Sequence, residues 1–511
     1  MNGFVEAVGR LPPAIGAHVL LSAAALALGL VIALPLTLWS ARSPAVARWT
    51  LGFASLVQTV PALALLALFY PLLLALSGLV GGGVPALGFL PALLALALYA
   101  VLPILRNGVT GLAELDPAVL EAADGVGLTP RQKLWWVEAP LVAPVLMAGI
   151  RTAAVWTIGA ATLSTTVGQP SLGDPIFAGL QTQNWALVLA GCFGAAALAL
   201  VADALLGLVE RGIRRRRPGL AWGGAAALGT GVLLALAPLV GVAARPVVTV
   251  GAKNFSEQFI LARLIGALLE GAGYQVRYRE GLGSAVIYRA LSEGDLDVYV
   301  DYAGTIWTNE MKRTDVPPRG PMVQAIGEWA AKTSGVGLVG ALGFENAYAF
   351  AMKGDVARAK GIATLDDLAR ASSGLTLGSD LEFLERPEWA VVRAAYPMRF
   401  AASRAYSPSF MYRALESGAA DVISAFSSDG RIAADRLVVL RDPRQAIPGY
   451  DAILLVSPAR AKDARFTAAL RPLVGAIAVE RMREANYMVD RDADKRSPDQ
   501  AARWLERVIG R

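Results

Sequence analysis

The sequence contains one cysteine and one histidine in 511 residues. A single cysteine, Cys192, excludes an intrachain disulfide and a cysteine metal cluster. A single histidine, His18, leaves the second half of the chain without this residue, which excludes histidine-dependent acid–base or zinc chemistry there. We therefore predict no catalytic residues, no metal site and no cofactor, and an enzyme is the least favoured class of function.

Charged residues are also scarce before about residue 245, whereas both signs occur throughout the rest of the chain. The composition is 55% hydrophobic and the mean hydropathy is +0.49, which is too apolar for an ordinary soluble protein. These features predict a part embedded in a lipid bilayer followed by a part in water. The net charge of +6 is explained by basic cytoplasmic loops, so we expect no nucleic-acid partner.

Six apolar segments are long enough to cross a hydrocarbon layer of about 30 Å. They are residues 19–39, 50–76, 86–105, 141–165, 184–209 and 220–243. The second segment belongs to an over-long block, 49–80, in which Pro61 and Pro71 could separate two helices. We count it as one crossing because one crossing preserves the alternation of basic and non-basic loops.

Basic residues are confined to alternate loops. They follow the first, third and fifth segments at Arg42, Arg48, Arg106, Arg131, Lys133, Arg211 and Arg214 to Arg217. The loops 77–88 and 166–183 contain neither lysine nor arginine. The positive-inside rule then makes the basic loops cytoplasmic, and the sixth crossing delivers the residues after Arg245 to the outer face.

One cytoplasmic loop, "AVLEAADGVGLTPRQKLWWVEAP", is polar and contains glycines within the most apolar part of the chain. Its pattern predicts a helix over 117–124, a turn at Gly125 and Gly127, and a second helix. Thr129 would cap this second helix and Pro130 would be its first residue. The loop is thus predicted to be a protruding helix–turn–helix.

The spacing of this loop resembles the EAA signature of permease subunits of bacterial binding-protein-dependent ABC importers. The matching residues are Glu121, Ala122, Ala123, Gly127 and Pro140. Val137 and Ala139 stand where the family usually has Ile and Leu, an apolar-for-apolar change. In that family the loop docks on a separate ATPase, whereas the alternative here is an ordinary amphipathic surface loop. The chain has no Walker A sequence, so ATP hydrolysis would require a partner subunit.

From Val247 onward, short β-rich runs alternate with helical ones. This alternation predicts an α/β domain large enough for two lobes. The first predicted helix has apolar residues at helical spacing, namely Phe259, Ile260, Leu264, Leu268 and Leu269. An acidic trio, Asp295, Asp297 and Asp301, lacks the spacing and central glycine of a calcium loop, so we interpret it as helix-end and strand-edge residues.

Residues 247–511 resemble the substrate-binding proteins of osmoprotectant importers for glycine betaine, choline and carnitine. The landmarks are "VGAKNFSEQFIL", "LSEGDLDVYVDYAGT", "ENAYAFAM", "LEFLERPEW" and "YRALESGAADVISAFSSDGRI". The resemblance implies a two-lobed fold of the type II periplasmic-binding-protein kind. Lobe 1 would comprise about 246–350 and 453–511, and lobe 2 about 351–452, with a hinge near residues 350 and 452.

A quaternary ammonium has no N–H to donate, so aromatic ring faces are what can recognise it. The resemblance places such a cage at Tyr302, Tyr348, Phe426 and Tyr450, with Phe426 where the family more often has tyrosine. It places the partners of a ligand carboxylate at Lys253, Thr305 and Arg386. The plainer alternatives are core packing for each aromatic residue and a solvated surface charge for each basic one.

Together the two resemblances imply an all-α permease domain over 1–218, an additional transmembrane tether over 219–245 and an extracytoplasmic substrate-binding domain over 246–511. The predicted function is that of a fused subunit of an ABC importer for quaternary-ammonium osmoprotectants such as glycine betaine. It would lie in the bacterial inner membrane as a homodimer driven by a separate ATPase. Alternatives are import of choline, carnitine or another trimethylammonium zwitterion such as ergothioneine, and a tethered betaine sensor. A sensor needs neither an EAA loop nor five further crossings.

Overall fold

The computed structural model of the protein describes residues 2–9, 11–81, 84–182, 184–240, 246–380, 382–491 and 493–510. The chain divides into two compact units, Met1–Phe177 with Trp185–Val242 and Ala178–Asn184 with Ala243–Arg511. Residues 241–245, at the end of the predicted tether, lie outside the described residues.

The first unit is built from helices. They are α1 (Asn2–Gly9), α2 (Pro12–Arg42), α3 (Pro44–Thr59), α4 (Ala62–Leu79), α5 (Phe89–Ala113), α6 (Pro117–Gly125), α7 (Pro130–Lys133), α8 (Ala139–Ala161), α9 (Gly173–Gln181), α10 (Trp185–Arg214) and α11 (Pro218–Val240). A turn of π-helix, Leu134–Glu138, connects α7 to α8, and a 3-10 segment, Thr162–Val167, follows α8.

Six helical stretches in the described part of this unit are long and apolar enough to cross a membrane. They are Pro12–Arg42, Ala62–Leu79, Phe89–Ala113, Pro130–Val167, Trp185–Arg214 and Pro218–Ala237. The predicted number of six is therefore confirmed. A core of small and apolar side chains holds α2, α5 and α8 together, including Ala33, Ala100, Ile104 and Ala153.

The block 49–80, for which the sequence left one or two helices open, forms two helices, of which one is a candidate crossing. The chain breaks at Val60, whose ψ of 125° is extended, and α4 begins after Pro61. Proline lacks an N–H and disfavours the helical conformation of the residue before it. With 16 residues, α3 is only about 24 Å long, so α4 is the candidate crossing of this block. Pro71 lies inside α4 without ending it.

The second unit begins with elements of one sheet and its helices. They are β1 (Val247–Lys253), α12 (Ser256–Gly271), β2 (Gln275–Leu282), α13 (Ser284–Ser292), β3 (Val298–Tyr302), α14 (Ala303–Thr305), α15 (Arg319–Ser334) and β4 (Gly337–Glu345). The chain then continues through β5 (Tyr348–Lys353), α16 (Gly354–Lys360), α17 (Leu365–Ala371), β6 (Thr376–Ser379), α18 (Pro387–Ala395), β7 (Ala402–Ala405), α19 (Pro408–Ser417), β8 (Val422–Phe426), α20 (Arg431–Ala434) and β9 (Leu437–Val439). The last elements are β10 (Asp451–Val456), α21 (Pro458–Ala461), α22 (Ala464–Leu470), α23 (Val479–Asp490) and α24 (Pro498–Val508).

Two five-stranded sheets organise this unit, with strand orders β2-β1-β3-β10-β4 and β7-β6-β8-β5-β9. In the first sheet β1 runs parallel to β2 and β3, and β10 runs antiparallel to β3 and β4. The second sheet repeats this plan, with β6 parallel to β7 and β8, and β5 antiparallel to β8 and β9. The chain passes from the first sheet to the second between Glu345 and Tyr348 and returns at Asp451. This is the predicted two-sheet α/β architecture.

The helix α12 packs on the first sheet with the side chains that its spacing predicts. Phe259, Ile260, Leu264 and Leu269 are buried, and Leu268 packs against the same core while partly exposed. The apolar stripe of the sequence thus corresponds to the buried face of this helix.

The interpretation of the acidic trio is wrong for Asp301. It lies in β3, the middle strand of its sheet, and its side chain is fully buried. Asp297 precedes this strand, where it accepts a hydrogen bond from the Thr249 N–H at 2.7 Å and pairs with Arg460 at 2.6 Å. Strand order, which brings β3 between β1 and β10, is what encloses Asp301.

Candidate ligand-binding site and coupling loop

A pocket lies in the second unit where the ends of several strands converge. Tyr302 is the last residue of β3, Phe426 is the last of β8, and Tyr348 is the first of β5. Tyr450 immediately precedes β10. Tyr348 and Phe426 are directly opposite each other in the antiparallel β5–β8 pair, so the backbone register places their side chains next to each other.

The structure brings all seven predicted ligand residues to this one pocket. They are Lys253, Tyr302, Thr305, Tyr348, Arg386, Phe426 and Tyr450. The remaining lining residues were not predicted from the sequence, and they are Asn254, Phe255, Ser284, Asn346, Asp380 and Glu382.

Five aromatic rings form a connected set around the pocket. The ring centroid of Tyr348 lies 5.1 Å from that of Phe426 and 5.8 Å from that of Tyr450, the latter at an interplanar angle of 89°. The ring of Phe255 joins the set, 6.0 Å from Phe426 and 6.1 Å from Tyr302. Phe255 was missed, although its place in the loop after β1, at the carboxyl end of a strand, is a signal that could have identified it.

Two of the ring hydroxyls are anchored on buried carboxylates. The Tyr302 hydroxyl donates to Glu257 Oε1 at 2.7 Å and accepts from Gln258 Nε2 at 3.0 Å. The Tyr450 hydroxyl donates to Glu388 Oε1. Burial raises the pKa of both tyrosines well above the ordinary value, so both hydroxyls remain protonated donors. These bonds hold each ring in one orientation.

The short helix α14 contains the predicted ligand residue Thr305 and also Gly304, which was not predicted to matter for the pocket. Thr305 is buried and lines the pocket. A Cβ atom on Gly304 would lie 2.5 Å from the Tyr450 ring, so the ring occupies the space that a side chain would need. The glycine of "DYAGT" therefore permits the close approach of the Tyr450 ring.

Arg386 is the cation with unused donors. Its side chain is 7% exposed, and Nε and Nη1 have no hydrogen-bond partner among the residues that the structure describes. Carboxylate oxygens of Glu382 and Glu388 lie 3.6 and 3.5 Å from its Nη2 and Nη1. Burial opposes the charge, but the surrounding tyrosine and carboxylate groups outweigh it and hold the pKa of Arg386 above its ordinary range. The guanidinium is thus charged and able to donate to an anion.

Lys253 is already paired. Its ammonium lies 2.5 Å from Asp301 Oδ1, and the other oxygen of that carboxylate accepts from the Tyr299 hydroxyl at 2.6 Å. Lys253 also lies over the Tyr302 ring, 5.5 Å from its centroid. Because Asp301 balances its charge, Lys253 has less to offer a ligand carboxylate than Arg386 has.

Acidic side chains outnumber basic ones around the pocket. The lining carries two groups of each sign, Lys253 and Arg386 against Asp380 and Glu382. Three further carboxylates are buried behind it and contact lining residues, namely Glu257, Asp301 and Glu388. Burial raises the pKa of Glu257 and of Asp380, which disfavours their charged forms, so the ring faces are the feature that most directly favours a diffuse positive charge.

The predicted helix–turn–helix is present in the first unit. Asp116 caps α6 by accepting from the Ala118 N–H at 2.9 Å. Thr129 caps α7 through a capping box with Gln132, as its position before Pro130 predicts. The turn is formed by Gly127, with φ of +78°, whereas Gly125 is the last residue of α6.

Two of the three EAA residues lie on the exposed side of this loop. Glu121 and Ala122 are exposed and Ala123 is buried. Lys133 joins the two short helices through a 2.7 Å bond to Asp124. Pro140 lies in the first turn of α8, directly after the π-helical turn. The salt bridge thus holds the two short helices together, and their exposed surface is available for contact with another protein.

Two family models match the chain. The model described as the substrate binding domain of ABC-type glycine betaine transport systems matches residues 246–507. The model described as the inner membrane component of binding-protein-dependent transport systems matches residues 25–215.

Similar proteins include permeases and binding proteins. An ergothioneine transport permease/ergothioneine binding protein of Helicobacter pylori (strain G27) is 30% identical over 484 residues, covering 90% of this chain and 83% of that protein. A choline transport system permease of Bacillus subtilis (strain 168) is 40% identical over 194 residues, covering 38% of this chain and 84% of that protein. A crystal structure titled glycine betaine/carnitine/choline ABC transporter is 26% identical with a TM-score of 0.44, covering 51% of this chain and 98% of that one.

Proposed function

The chain belongs to the binding-protein-dependent ABC importers, as a permease fused to a substrate-binding domain of the glycine betaine type, and we propose that the pocket around Tyr302 and Arg386 is its ligand site. It is a multi-pass transport subunit rather than an enzyme. We also propose domain limits of 1–218, 219–245 and 246–511, and a receptor hinge near residues 350 and 452.

The observation that carries the proposal is the combination of five connected rings with a buried arginine that has unused N–H groups. Ring faces attract a quaternary ammonium, each by about 0.5–2 kcal/mol when desolvated, and they also bury its methyl groups. The Arg386 guanidinium can bind both oxygens of a carboxylate. A betaine carries both groups, so one molecule satisfies both halves of the pocket.

Three related ligands remain alternatives to glycine betaine. Choline would use the rings without engaging Arg386, and carnitine would use both. The third is ergothioneine, which appears in the name of the Helicobacter pylori relative. It carries the same trimethylammonium and carboxylate groups as glycine betaine. Phe426, where the family more often has tyrosine, keeps a ring face and lacks a hydroxyl for a polar ligand group.

The coupling loop supports the proposal of a separate ATPase on the cytoplasmic side. The exposed Glu121 and Ala122, followed by the turn at Gly127, form the surface that would dock on it. In such importers two ATPase subunits work with two permease subunits. We propose that the second permease subunit is another copy of this chain, so that the importer contains a homodimer of it.

Removing one ring should weaken every trimethylammonium ligand. Tyr302→Ala is expected to lower the affinity for both glycine betaine and choline by roughly 5- to 150-fold, because about 1–3 kcal/mol of ring contact is lost. Calorimetry on the full chain in detergent measures both affinities. Tyr302→Phe is the control, since it keeps the ring and loses only the hydroxyl bonded to Glu257. Equal losses in the two variants would assign the effect to that hydrogen bond and contradict the cage.

The orientation of the chain in the inner membrane has a direct test. In a Cys192→Ser background, an impermeant thiol reagent applied to intact cells should label a cysteine at the exposed position Ser373 and spare one at the exposed position Thr129. The positive-inside distribution of arginine is the reason. Permeabilised cells, in which both positions should react, provide the control, and labelling of Thr129 alone in intact cells would reverse the proposed topology.

A further inference from the structure

A groove in the first unit contains an ion pair within helices that are long enough to cross the membrane. It lies between α8 and α10 and is lined by Arg151, Thr152 and Trp156 of α8 and by Leu200 and Asp203 of α10. Its volume is about 510 Å³. Sites for small molecules commonly have volumes of about 300–1,000 Å³, so the groove is large enough for a small ligand.

The two charged residues of the groove hold each other in a fixed geometry. Arg151 Nε and Nη2 donate to the two carboxylate oxygens of Asp203 at 2.9 and 2.8 Å, and Nη1 donates to Glu210 at 2.6 Å. Among the residues that the structure describes, these bonds leave part of the guanidinium N–H groups unused. The arginine can therefore donate to a further anion without leaving its partners.

This ion pair is open to whatever fills the groove, since the side chains of Arg151 and Asp203 are 33% and 34% exposed. Arg151 lies about 18 Å along α8 from Ala139, and Asp203 lies about 16 Å along α10 from Arg214. In the proposed topology both of these helix ends are cytoplasmic, so the pair lies well inside a hydrocarbon layer of about 30 Å. Charged groups at this depth almost always face the interior of a bundle or a water-filled cavity, because exposure to lipid is costly.

A tryptophan ring lines the same groove as the carboxylate. Trp156 is 52% exposed and follows Thr152 by one helical turn. Among the aromatic side chains, tryptophan attracts a diffuse cation most strongly, and the attraction increases where water is excluded. Ring faces, carboxylates and an arginine also surround the ligand pocket of the second unit. The groove thus repeats, with fewer groups, the chemistry that suits a trimethylammonium zwitterion.

We propose that this groove is a transit site for the ligand inside the membrane unit, in which Asp203 and Trp156 receive the quaternary ammonium and Arg151 receives the carboxylate. The inference rests on the proposed function of the chain. A zwitterion laid along the Arg151–Asp203 pair in the opposite direction brings each of its charges next to an opposite charge. Because the two residues already compensate each other, binding here is weaker than in the receptor pocket, and a transport path requires sites that the ligand can leave.

Thiol accessibility in the membrane tests whether water reaches the groove. In a Cys192→Ser background, Thr152→Cys places a thiol in the groove, and Thr230→Cys places one on α11 outside it. The two positions are matched, because both threonines are exposed and each hydroxyl donates to the carbonyl four residues earlier. The probe is a water-soluble thiol reagent carrying a trimethylammonium group, present on both sides of vesicles that contain the full chain. Position 152 should react at least about tenfold faster than position 230, which faces lipid.

Glycine betaine should compete with this reagent in the groove. An excess of glycine betaine should slow modification at position 152 by about threefold or more, whereas glycine, which lacks the methyl groups, should not. The protection should disappear with Trp156→Leu. It should persist in an Arg386→Ala background, in which the receptor pocket is weakened, because the two sites are separate.

Uptake of labelled glycine betaine into cells measures the contribution of the site to transport. Trp156→Leu should lower the maximal rate by about three- to tenfold, and Trp156→Phe, which keeps a ring, should lower it less. Trp185→Leu is the matched control, since Trp185 is 53% exposed and lies outside the groove, and it should leave uptake unchanged. The affinity of the full chain for glycine betaine, measured by calorimetry in detergent, should be the same in all three variants.

Each other outcome has a definite meaning. If position 152 reacts no faster than position 230, the groove faces lipid or is covered by a second copy of the chain, and the inference is overturned. It is also overturned if glycine betaine gives no protection, if protection disappears with Arg386→Ala, or if Trp156→Leu transports normally. In all of these cases the receptor pocket stands. If the wild-type chain binds neither glycine betaine nor choline in calorimetry, the proposed function itself fails, and the inference fails with it.

Discussion

Replacing Arg386 with alanine is expected to weaken glycine betaine binding by roughly 30- to 1000-fold, or about 2–4 kcal/mol. The guanidinium is 7% exposed, and within the described part of the chain two of its nitrogens have no hydrogen-bond partner. A ligand carboxylate buried beside the rings would lose its charge-assisted hydrogen bonds and remain desolvated. Choline has no carboxylate, so its affinity should change little.

The ratio of the two affinities is therefore the quantity to measure, by calorimetry on the full chain. Arg393→Ala provides a matched control, because Arg393 lies on α18, the helix that begins directly after Arg386, and is exposed. Arg386→Lys keeps a positive charge near Glu382 and Glu388 and so separates loss of ligand contact from loss of their counter-ion. Should Arg386→Ala weaken both ligands equally, the arginine is structural and the preference for a carboxylated ligand fails.

Changing Gly127 to proline should abolish uptake without changing ligand affinity. Gly127 has φ of +78°, and proline requires about −65°, so the turn between α6 and α7 cannot keep its conformation. The hydrogen bond from the Gly127 N–H to the Asp124 carbonyl would also be lost. A distorted loop would no longer dock on the ATPase, and its nucleotide cycle would no longer move the membrane helices.

Uptake of labelled glycine betaine into cells, with calorimetry on the purified variants, tests this coupling. Glu121→Lys should have the same effect by reversing an exposed charge of the docking surface. Gly125→Ala is the matched control, since Gly125 has ordinary helical geometry and open space around its Cα. Normal uptake by both loop variants would remove the coupling assignment. Absence of uptake by the wild type, with ligand binding retained, would instead favour the tethered sensor.

Much of the architecture was predictable because it depends on properties that are local along the chain. Apolar runs of about 20 residues are required wherever a helix crosses lipid, so six such runs predicted six candidate crossings. The start of α7 at Thr129 and Pro130 depends only on a cap, a proline and Gln132, all within four residues. The strand–helix alternation after Val247 likewise predicted the α/β unit.

The seven ligand residues were predicted from family landmarks, and the structure explains why they converge. Tyr302, Tyr348 and Phe426 each stand at one end of a strand, and strand order brings those ends to one place. The strand order cannot be read from the spacing of residues in the sequence. It depends on how β10 returns to pair with β3 after the second sheet is complete.

Tertiary structure alone decided the features that depend on partners distant along the chain. The chain leaves the helical conformation before Pro61, whereas Pro71 lies inside α4. Both residues are prolines, so the residue type alone does not explain this difference. Lys253 is paired with Asp301, 48 residues away, which leaves Arg386 as the cation with unused donors. Glu257 accepts a hydrogen bond from Asn486, 229 residues away, although nothing in the sequence connects the two. The physical reason is that burial and charge pairing act between neighbours in space, and the packing of strands and helices decides which residues those are.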